Sequence, residues 1–300
     1  MIHSYTEIKE KICKVRQMKK ISIAKAESES VIRAVMEVEK LHIARGLFVG
    51  DAEKIKTIAH EVGFAIDPEF IIHETDDEKI AQKSVQLIND GKADVLMKGQ
   101  ISTPILMKAV LNKDNGLRTG EVLSHVAVAE TPTYPKLLVF SDGGINILPD
   151  FETKKSILRS IIHMNHALEN YQPKIGALCA IEQINPKMPE TIDAAELQKL
   201  SESGEFDNAI VEGPIAMDVA LSAKAALKKG IDSKIAGDID SFLVPNITAG
   251  NALIKILMKL AHAKVGGIVV GAKVPIILLS RSDTANEKLN SISLAILLTL

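Results

Sequence analysis

The chain has 300 residues, of which 46% are hydrophobic and 25% are charged, as in an ordinary folded protein with a large core. A net charge of −2, 3% aromatic residues and no tryptophan argue against a nucleic-acid surface, which needs basic or stacking residues. The charged N-terminus predicts no signal peptide, and no apolar run is long enough to predict a membrane span. Two distant cysteines without a C-x-x-C motif fit a reducing compartment, so we expect a cytoplasmic protein.

Short apolar strands alternate with amphipathic helices along the chain. Strands are predicted at 21–24, 46–50, 70–73, 95–97, 124–128, 137–140, 174–180, 209–211, 241–244, 268–270 and 276–279. Helices are predicted around 8–15, 28–40, 51–63, 77–90, from 103, at 151–168, 191–200, 218–228 and 249–260, and after 284. This βαβ rhythm predicts parallel sheets covered by helices, with an antiparallel pair where two prolines separate the fifth and sixth strands.

Pro149 and Asp150 mark a boundary, because the alternation restarts after them. We therefore predict lobe one at 1–149 plus 272–300 and lobe two at 150–271, both α/β. The cleft between two such lobes is a common ligand site, and we expect the active site there.

Polar residues and glycines follow several predicted strands. Lys98 stands where the fourth strand ends, Gly99 would let the backbone approach a ligand, and Thr103 is expected to cap a helix that starts at Pro104. By itself this segment is more typical of a connecting loop with a solvated lysine. The full set of candidate substrate-binding residues is Lys98, Gly99, Thr103, Arg118, Ser124, His125, Asp142 and Asn146.

The segment after the last predicted strand combines a hydroxyl, a fixed cation and a carboxylate. Ser280, Arg281 and Asp283 follow that strand at once, and Thr284 with Glu287 has the spacing of a helix capping box. Ligands bind at the carboxyl ends of strands in open α/β sheets, and helix N-termini favour anions. The pair Ser280–Arg281 is therefore well placed for a phosphoryl group. The alternative is that Arg281 pairs with a surface acid and Asp283 only starts the helix.

Several common chemistries have no signature in this chain. There is no G-x-x-x-x-G-K-[ST] motif and no well-placed G-x-G-x-x-G after a strand. The eight histidines lack metal-ligand spacing, and only His125 is kept as a functional candidate. We therefore expect no metal and no tightly bound cofactor.

Five segments together resemble the phosphate acetyl/butyryl transferase family: ADVLMKGQIST, GLRTGEVLSHVAV, SDGGINILPD, VEGPIAMDVAL and LLSRSDTANEKLNSISLA. The similarity extends over nearly the whole chain from ISIAKAESESVIRAV onward. It implies a two-lobed three-layer α/β/α fold of the isopropylmalate/isocitrate-dehydrogenase-like type, with lobe one completed by the C-terminal segment. It also implies a homo-oligomer, at least a dimer.

The activity implied by the resemblance is reversible transfer of a short acyl group between coenzyme A and inorganic phosphate. Acyl-CoA and phosphate would be the substrates, coenzyme A would be a substrate rather than a cofactor, and we expect butyryl as the acyl group. The alternatives are a phosphate acetyltransferase, a relaxed short-chain acyltransferase or, from another class, a non-catalytic binder of acyl phosphate or coenzyme A.

The resemblance also implies catalytic roles. Arg281 would bind the phosphoryl oxygens and Ser280 would donate to the acyl phosphate or its oxyanion. A general base is expected, since a thiol with a pKa near ~8.5 is mostly protonated at neutral pH. The acetyl branch of the family has its carboxylate six residues after the arginine, at Glu287 here, whereas the butyryl pattern has an aspartate two residues after it, at Asp283. We favour Asp283, because Glu287 also has the capping task beside Thr284.

Overall fold

The computed structural model of the protein describes residues 1–15, 17–278 and 283–300. Strands in chain order are β1 Lys19–Ala24, β2 Ala44–Gly50, β3 Ile71–His73, β4 Val95–Lys98, β5 Ser124–Glu130, β6 Leu138–Ser141, β7 Lys174–Leu178, β8 Ile210–Ile215, β9 Ser241–Leu243, β10 Lys264–Val270 and β11 Ile276–Ile277. Helices are α1 Tyr5–Cys13, α2 Glu29–Lys40, α3 Ala52–Glu61, α4 Asp77–Asn89, α5 Thr103–Val110, α6 Phe151–Ala167, α7 Pro189–Glu202, α8 Met217–Leu221, α9 Ala223–Lys229, α10 Ile247–Lys259 and α11 Ala285–Leu297, with a 3₁₀ turn at Pro68–Phe70. None of the helices in these described ranges is both long and apolar enough to cross a bilayer.

The chain divides into two compact units. Unit 1 comprises Met1–Ser4 and Val122–Val265, and unit 2 comprises Tyr5–Glu121 and Gly266–Leu300. This division differs from the predicted lobe bounds mainly at 122–149, which fall in unit 1, and also at 1–4, in unit 1, and 266–271, in unit 2. The physical reason is strand pairing, because β5 pairs with β6, and β6 pairs with β9 of the same unit.

Unit 2 is a mixed α/β unit. Its strands lie in the order β3-β2-β1-β4-β11-β10, and all run parallel except β10, which is antiparallel to β11. The C-terminal segment contributes β11 to this sheet and α11, which packs against α1 and α2. Every residue of β4 is buried, as expected of a parallel strand covered on both faces.

Unit 1 is also mixed α/β. Its strands lie in the order β5-β6-β9-β7-β8, with β5 antiparallel to β6 and the others parallel. The rings of Phe140 on β6 and Phe242 on β9 stack with their centroids 5.3 Å apart. They belong to a buried apolar cluster that α8, α9 and α10 cover.

The predicted strands are all found, and the predicted antiparallel pair of β5 and β6 is confirmed. One predicted helix is in fact two, because Ser222 ends α8 and accepts from the backbone amide of Ala225 to start α9. The predicted cap of α5 is wrong by one residue, since Ser102 is the N-cap and Thr103 is already helical. The hydroxyl of Ser222 therefore sets a helix end that apolar periodicity does not predict, whereas Ser102 makes no side-chain capping hydrogen bond.

Candidate functional site

The parallel strands of unit 2 end at one edge of its sheet. The strand order reverses between β1 and β4, and ligands of open α/β sheets bind outside the carboxyl ends at such a point. Polar residues at or just after these strand ends include Lys25, Glu27, Asp51, Glu74 and Lys98. This carboxyl edge is therefore the candidate site of unit 2.

Lys98 and Gly99 differ from what the sequence predicts. Lys98 is only 6% exposed, so it is not the solvated lysine of an ordinary loop. A side chain at Gly99 would meet the carbonyl oxygen of Lys25 at 2.1 Å, and the amide of Gly99 donates to Ala24 at 2.8 Å. The backbone of Lys25, rather than a ligand, thus occupies the space that the glycine leaves. Gly99 serves the packing of two loops at the carboxyl edge.

Lys25 and Glu27 are residues that the sequence reasoning missed. Lys25 has a left-handed backbone with φ of 60° and pairs through Nζ with Oδ1 of Asp77 at 2.7 Å. Oε1 of Glu27 accepts from the amide of Asp51 at 2.9 Å, whereas its Oε2 is buried without a hydrogen-bond partner among the described residues. The signal was available, because Lys25 directly follows the predicted strand 21–24, as Lys98 follows its own, and Glu27 lies three residues after that strand.

Thr103 and Arg118 are both exposed residues of unit 2. Thr103 is exposed at the start of α5. Arg118 is exposed too, and its backbone forms an antiparallel bridge with Ala272, in the segment that leads to β11. The hydroxyl of Thr119 fixes the same segment by donating to the carbonyl of Gly271 at 2.7 Å. Arg118 is therefore anchored beside the C-terminal segment.

The carboxylates predicted as candidate bases lie at the start of α11. The capping box is confirmed, since Oε2 of Glu287 accepts from the amide of Thr284 at 2.6 Å and Oγ1 of Thr284 accepts from the amide of Glu287 at 3.3 Å. Asp283 is partly exposed just before the cap. Ser280 and Arg281 lie outside the described residues, so their predicted roles stay predictions.

Lys288 is a further residue that the sequence reasoning missed. It is 3% exposed, and its Nζ donates to the backbone carbonyl of Asp283. Burial lowers the pKa of Lys288, and the nearby carboxylates of Asp283 and Glu287 oppose part of that shift. A lysine in the first turn of a helix, where the dipole disfavours a cation, was the available signal.

In unit 1, the carboxylate of Asp142 organises the loop after β6. Oδ1 accepts from the amides of Gly144 and Ile145 at 2.8 and 2.9 Å, and Oδ2 accepts from Nδ2 of Asn146 at 2.6 Å and from the amide of His125 at 3.1 Å. Asp142 is 2% exposed. The structure thus brings three predicted residues together, and both oxygens of Asp142 are already engaged by the protein. Asp142 shapes the loop rather than presenting a free carboxylate.

Ser124 stands beside this network with an unused hydroxyl. It is fully buried, and its Oγ has no hydrogen-bond partner among the described residues. His125, the next residue, has two contacts with the same loop. The hydroxyl of Ser141 donates to its carbonyl at 2.9 Å, and its ring packs where Gly144 has no side chain. A buried hydroxyl without a partner costs about 1–3 kcal/mol, which a polar ligand atom would offset. Ser124 is therefore a candidate ligand contact of unit 1.

Known proteins that this chain resembles in sequence belong to one family. The family described as "Phosphate acetyl/butaryl transferase" matches residues 71–296. The chain is 43% identical to a phosphate butyryltransferase of Clostridium acetobutylicum over 297 residues, covering 99% of this chain and 98% of that protein. It is 37% identical to a phosphate acetyltransferase of Thermotoga maritima, covering 92% of this chain and 94% of that protein.

Solved structures agree with the sequence matches. A branched-chain phosphotransacylase from Enterococcus faecalis is similar with a TM-score of 0.81 and 33% identity, covering 94% of this chain and 99% of that chain. The mixed α/β three-layer class predicted from the sequence is thereby confirmed. Since the match spans most of the chain at both levels, the protein belongs to the phosphate acetyl/butyryl transferase family of acyltransferases.

Proposed function

We propose that the protein transfers a butyryl group reversibly between coenzyme A and inorganic phosphate. The observation that carries this proposal is the 43% identity, over nearly the full length, to a phosphate butyryltransferase. The gathering of polar strand ends at the carboxyl edge of unit 2 supports it, because that is where α/β proteins bind phosphorylated ligands.

In the thioester-forming direction, the coenzyme A thiol attacks the carbonyl carbon of the acyl phosphate. The new carbon–sulfur bond forms, the bond from that carbon to the phosphate oxygen breaks, and phosphate leaves. The thiol proton goes to Asp283. The assignment is supported by the capping contacts of Glu287, whose carboxylate is already bound to the amide of Thr284. Arg281 holds the phosphoryl oxygens through its planar fork, and Ser280 donates to the oxyanion.

We propose candidate substrate contacts for each unit by itself. The buried hydroxyl of Ser124 is the sharpest candidate in unit 1, since it lacks a partner among the described residues. His125 and Asn146 are held by Asp142, so that carboxylate supports binding indirectly. In unit 2, the buried ammonium of Lys98 is a cation for an anionic substrate.

The closest alternatives differ in acyl chain length. One methylene in an apolar pocket changes binding by only roughly 1–3 kcal/mol, so acetyl, butyryl and branched acyl groups are separated by pocket shape rather than by the reaction. The identity to a phosphate acetyltransferase keeps the acetyl or relaxed short-chain reaction as the second candidate.

The test is thiol release from acetyl-, butyryl- and isobutyryl-CoA, each with and without phosphate. We expect release only with phosphate and the highest kcat/KM for butyryl-CoA. A higher kcat/KM for another acyl-CoA would replace the butyryl assignment. Tight binding of acyl-CoA without any phosphate-dependent release would identify a non-catalytic binder instead.

We also propose that the protein is a cytoplasmic homo-oligomer, at least a dimer. Cys13 and Cys179 are both free, which suits a reducing compartment. Light scattering of the purified chain tests the oligomeric state, and a monomer mass at micromolar concentration would contradict it.

A further inference from the structure

Lys288 occupies a position that disfavours a cation. It is the fourth residue of α11, Ala285–Leu297, and the first turn of a helix carries positive partial charge. The residue is also 3% exposed, and burial opposes the charged form of an amine. A lysine held against both effects needs a contact that compensates them.

That contact is with the backbone of Asp283. Nζ of Lys288 donates to the carbonyl oxygen of Asp283, directly before the N-cap Thr284. Glu287 holds the other side of this peptide group, because its Oε2 accepts from the amide of Thr284 at 2.6 Å. One peptide group is therefore fixed at both its oxygen and its nitrogen.

Asp283 and Lys288 differ in exposure. Asp283 is partly exposed, while Lys288 beneath it is buried. The carboxylates of Asp283 and Glu287 both act on the ammonium, which places Lys288 close to the two candidate bases. A backbone fixed at a partly exposed aspartate restricts where its carboxylate can move, which is what a positioned proton acceptor requires.

We propose that Lys288 is a positioning residue, which fixes the backbone of Asp283 and thereby holds the Asp283 carboxylate for the coenzyme A thiol. The part that concerns the thiol rests on the proposed function. The part that concerns the backbone rests only on the hydrogen bond and the burial. Lys288 itself does not contact the substrate in this role.

The kinetic test uses Lys288→Met, which keeps the length of the side chain and removes the donor. A misplacement of about 1 Å in a catalytic group costs up to about 10²-fold, so we expect kcat to fall by about 10- to 100-fold while KM for butyryl-CoA and for phosphate stays unchanged. The matched control is Ser293→Ala, on the same helix, where a buried hydroxyl donates to the carbonyl of Leu289 at 2.8 Å. This control is expected to keep the kcat of the unmodified protein.

A double variant shows whether Lys288 acts through Asp283. Combined with Asp283→Asn, the change Lys288→Met should lower kcat no further than Asp283→Asn does alone, because both act on one carboxylate. Losses that multiply would overturn the proposal. So would a fall in melting temperature large enough to account for the lost activity.

Hydrogen–deuterium exchange tests the backbone contact without any turnover. Lys288→Met is expected to speed exchange at the amides of Thr284 and Glu287, and Ser293→Ala is expected to leave both unchanged. Unchanged exchange in Lys288→Met would overturn the positioning role even in an active enzyme. Faster exchange in a protein without acyl transfer would uphold the backbone contact and overturn only the proposed function.

Discussion

The carbonyl oxygen of Lys25 lies where a side chain of Gly99 would begin, at 2.1 Å from the ideal Cβ position. The loops after β1 and β4 therefore pack backbone against backbone. The amide of Gln100 also donates a hydrogen bond to the carbonyl oxygen of Lys25 at 2.7 Å. Because these two strands flank the reversal of strand order, this contact shapes the carboxyl edge of unit 2.

Gly99→Ala should destabilise the protein, because the added carbon meets backbone that cannot move aside as a flexible side chain would. We expect a loss of about 1–3 kcal/mol in the free energy of unfolding, as for other overpacked sites. Denaturant unfolding measures it. Gln100→Ala is the control, since Gln100 is exposed and its backbone bond is retained, and its effect should stay within about 0.5 kcal/mol. Equal stability of both variants would contradict the crowding argument.

Arg281→Ala tests the predicted phosphoryl clamp. Phosphate-dependent turnover should fall by several orders of magnitude without a change in melting temperature. Arg281→Lys should restore little, since a point charge cannot replace a bidentate fork. Arg159→Ala is the control, because Arg159 is an exposed residue of α6 that pairs with Glu205 at 2.6 Å. Near-normal turnover of either Arg281 variant would remove the central residue of the mechanism.

Substitution of each carboxylate by its amide distinguishes the two candidate bases, Asp283 and Glu287. Glu287→Gln should retain turnover, because glutamine also reaches the amide of Thr284. Asp283→Asn should lower turnover by roughly 10² to 10⁴, the usual range for a general base. The defect should shrink as pH rises toward the thiol pKa of ~8.5, where thiolate forms without help. A pH-dependent defect in Glu287→Gln but not in Asp283→Asn would reverse the assignment.

Lys136 and Asp240 form a partly buried ion pair in unit 1, 2.9 Å apart, and Asp240 also accepts from the amide of Lys174 at 2.8 Å. Removal of one partner of a fully buried pair costs about 3–5 kcal/mol, so for this partly buried pair we expect Lys136→Met to destabilise the protein by about 1–3 kcal/mol. Lys264→Met is the control, since its pair with Glu130 is more exposed and such pairs contribute about 1 kcal/mol or less. Chemical unfolding at pH 7 compares the two.

The stabilisation by Lys136 should depend on pH in a defined direction. Burial alone would lower the pKa of Lys136, but its hydrogen bonds to Asp238 and Asp240 outweigh burial and raise it. The hydrogen bonds from Lys136 and Lys174 lower the pKa of Asp238. The raised lysine pKa gives stability that is complete below about pH 10 and lost as pH rises through the folded-state value. The lowered aspartate pKa gives stability that is present above about pH 4 and lost below it, so the difference between unmodified protein and Lys136→Met should be largest between these limits.

The two cysteines should differ in reactivity toward iodoacetamide. Cys179 is buried, and burial raises the pKa of its thiol to about 12, whereas Cys13 is exposed. The thiolate is the reactive form, so at pH 8 the native protein should be alkylated at Cys13 and not at Cys179. Mass spectrometry of the labelled peptides measures this, with urea-unfolded protein as the control that labels both. Rapid alkylation of native Cys179 would show that the thiol is neither buried nor protonated.

The sequence alone predicted those features that depend on a few neighbouring residues. Apolar periodicity located the strands, and the spacing of Thr284 and Glu287 identified the capping box of α11. Both are local, because a strand or a cap is formed by residues adjacent along the chain. The family resemblance added the reaction class, since its motifs run along nearly the whole chain.

Only the tertiary structure decided which strand ends meet and which polar groups are buried. It placed Gly99 against Lys25, buried Lys98 and Lys288, and assigned 122–149 to unit 1. These outcomes depend on the order in which distant strands pair and on how helices cover them. Neither is encoded in the periodicity of one segment, and so a lysine that looks solvated in the sequence is buried once the strands around it are in place.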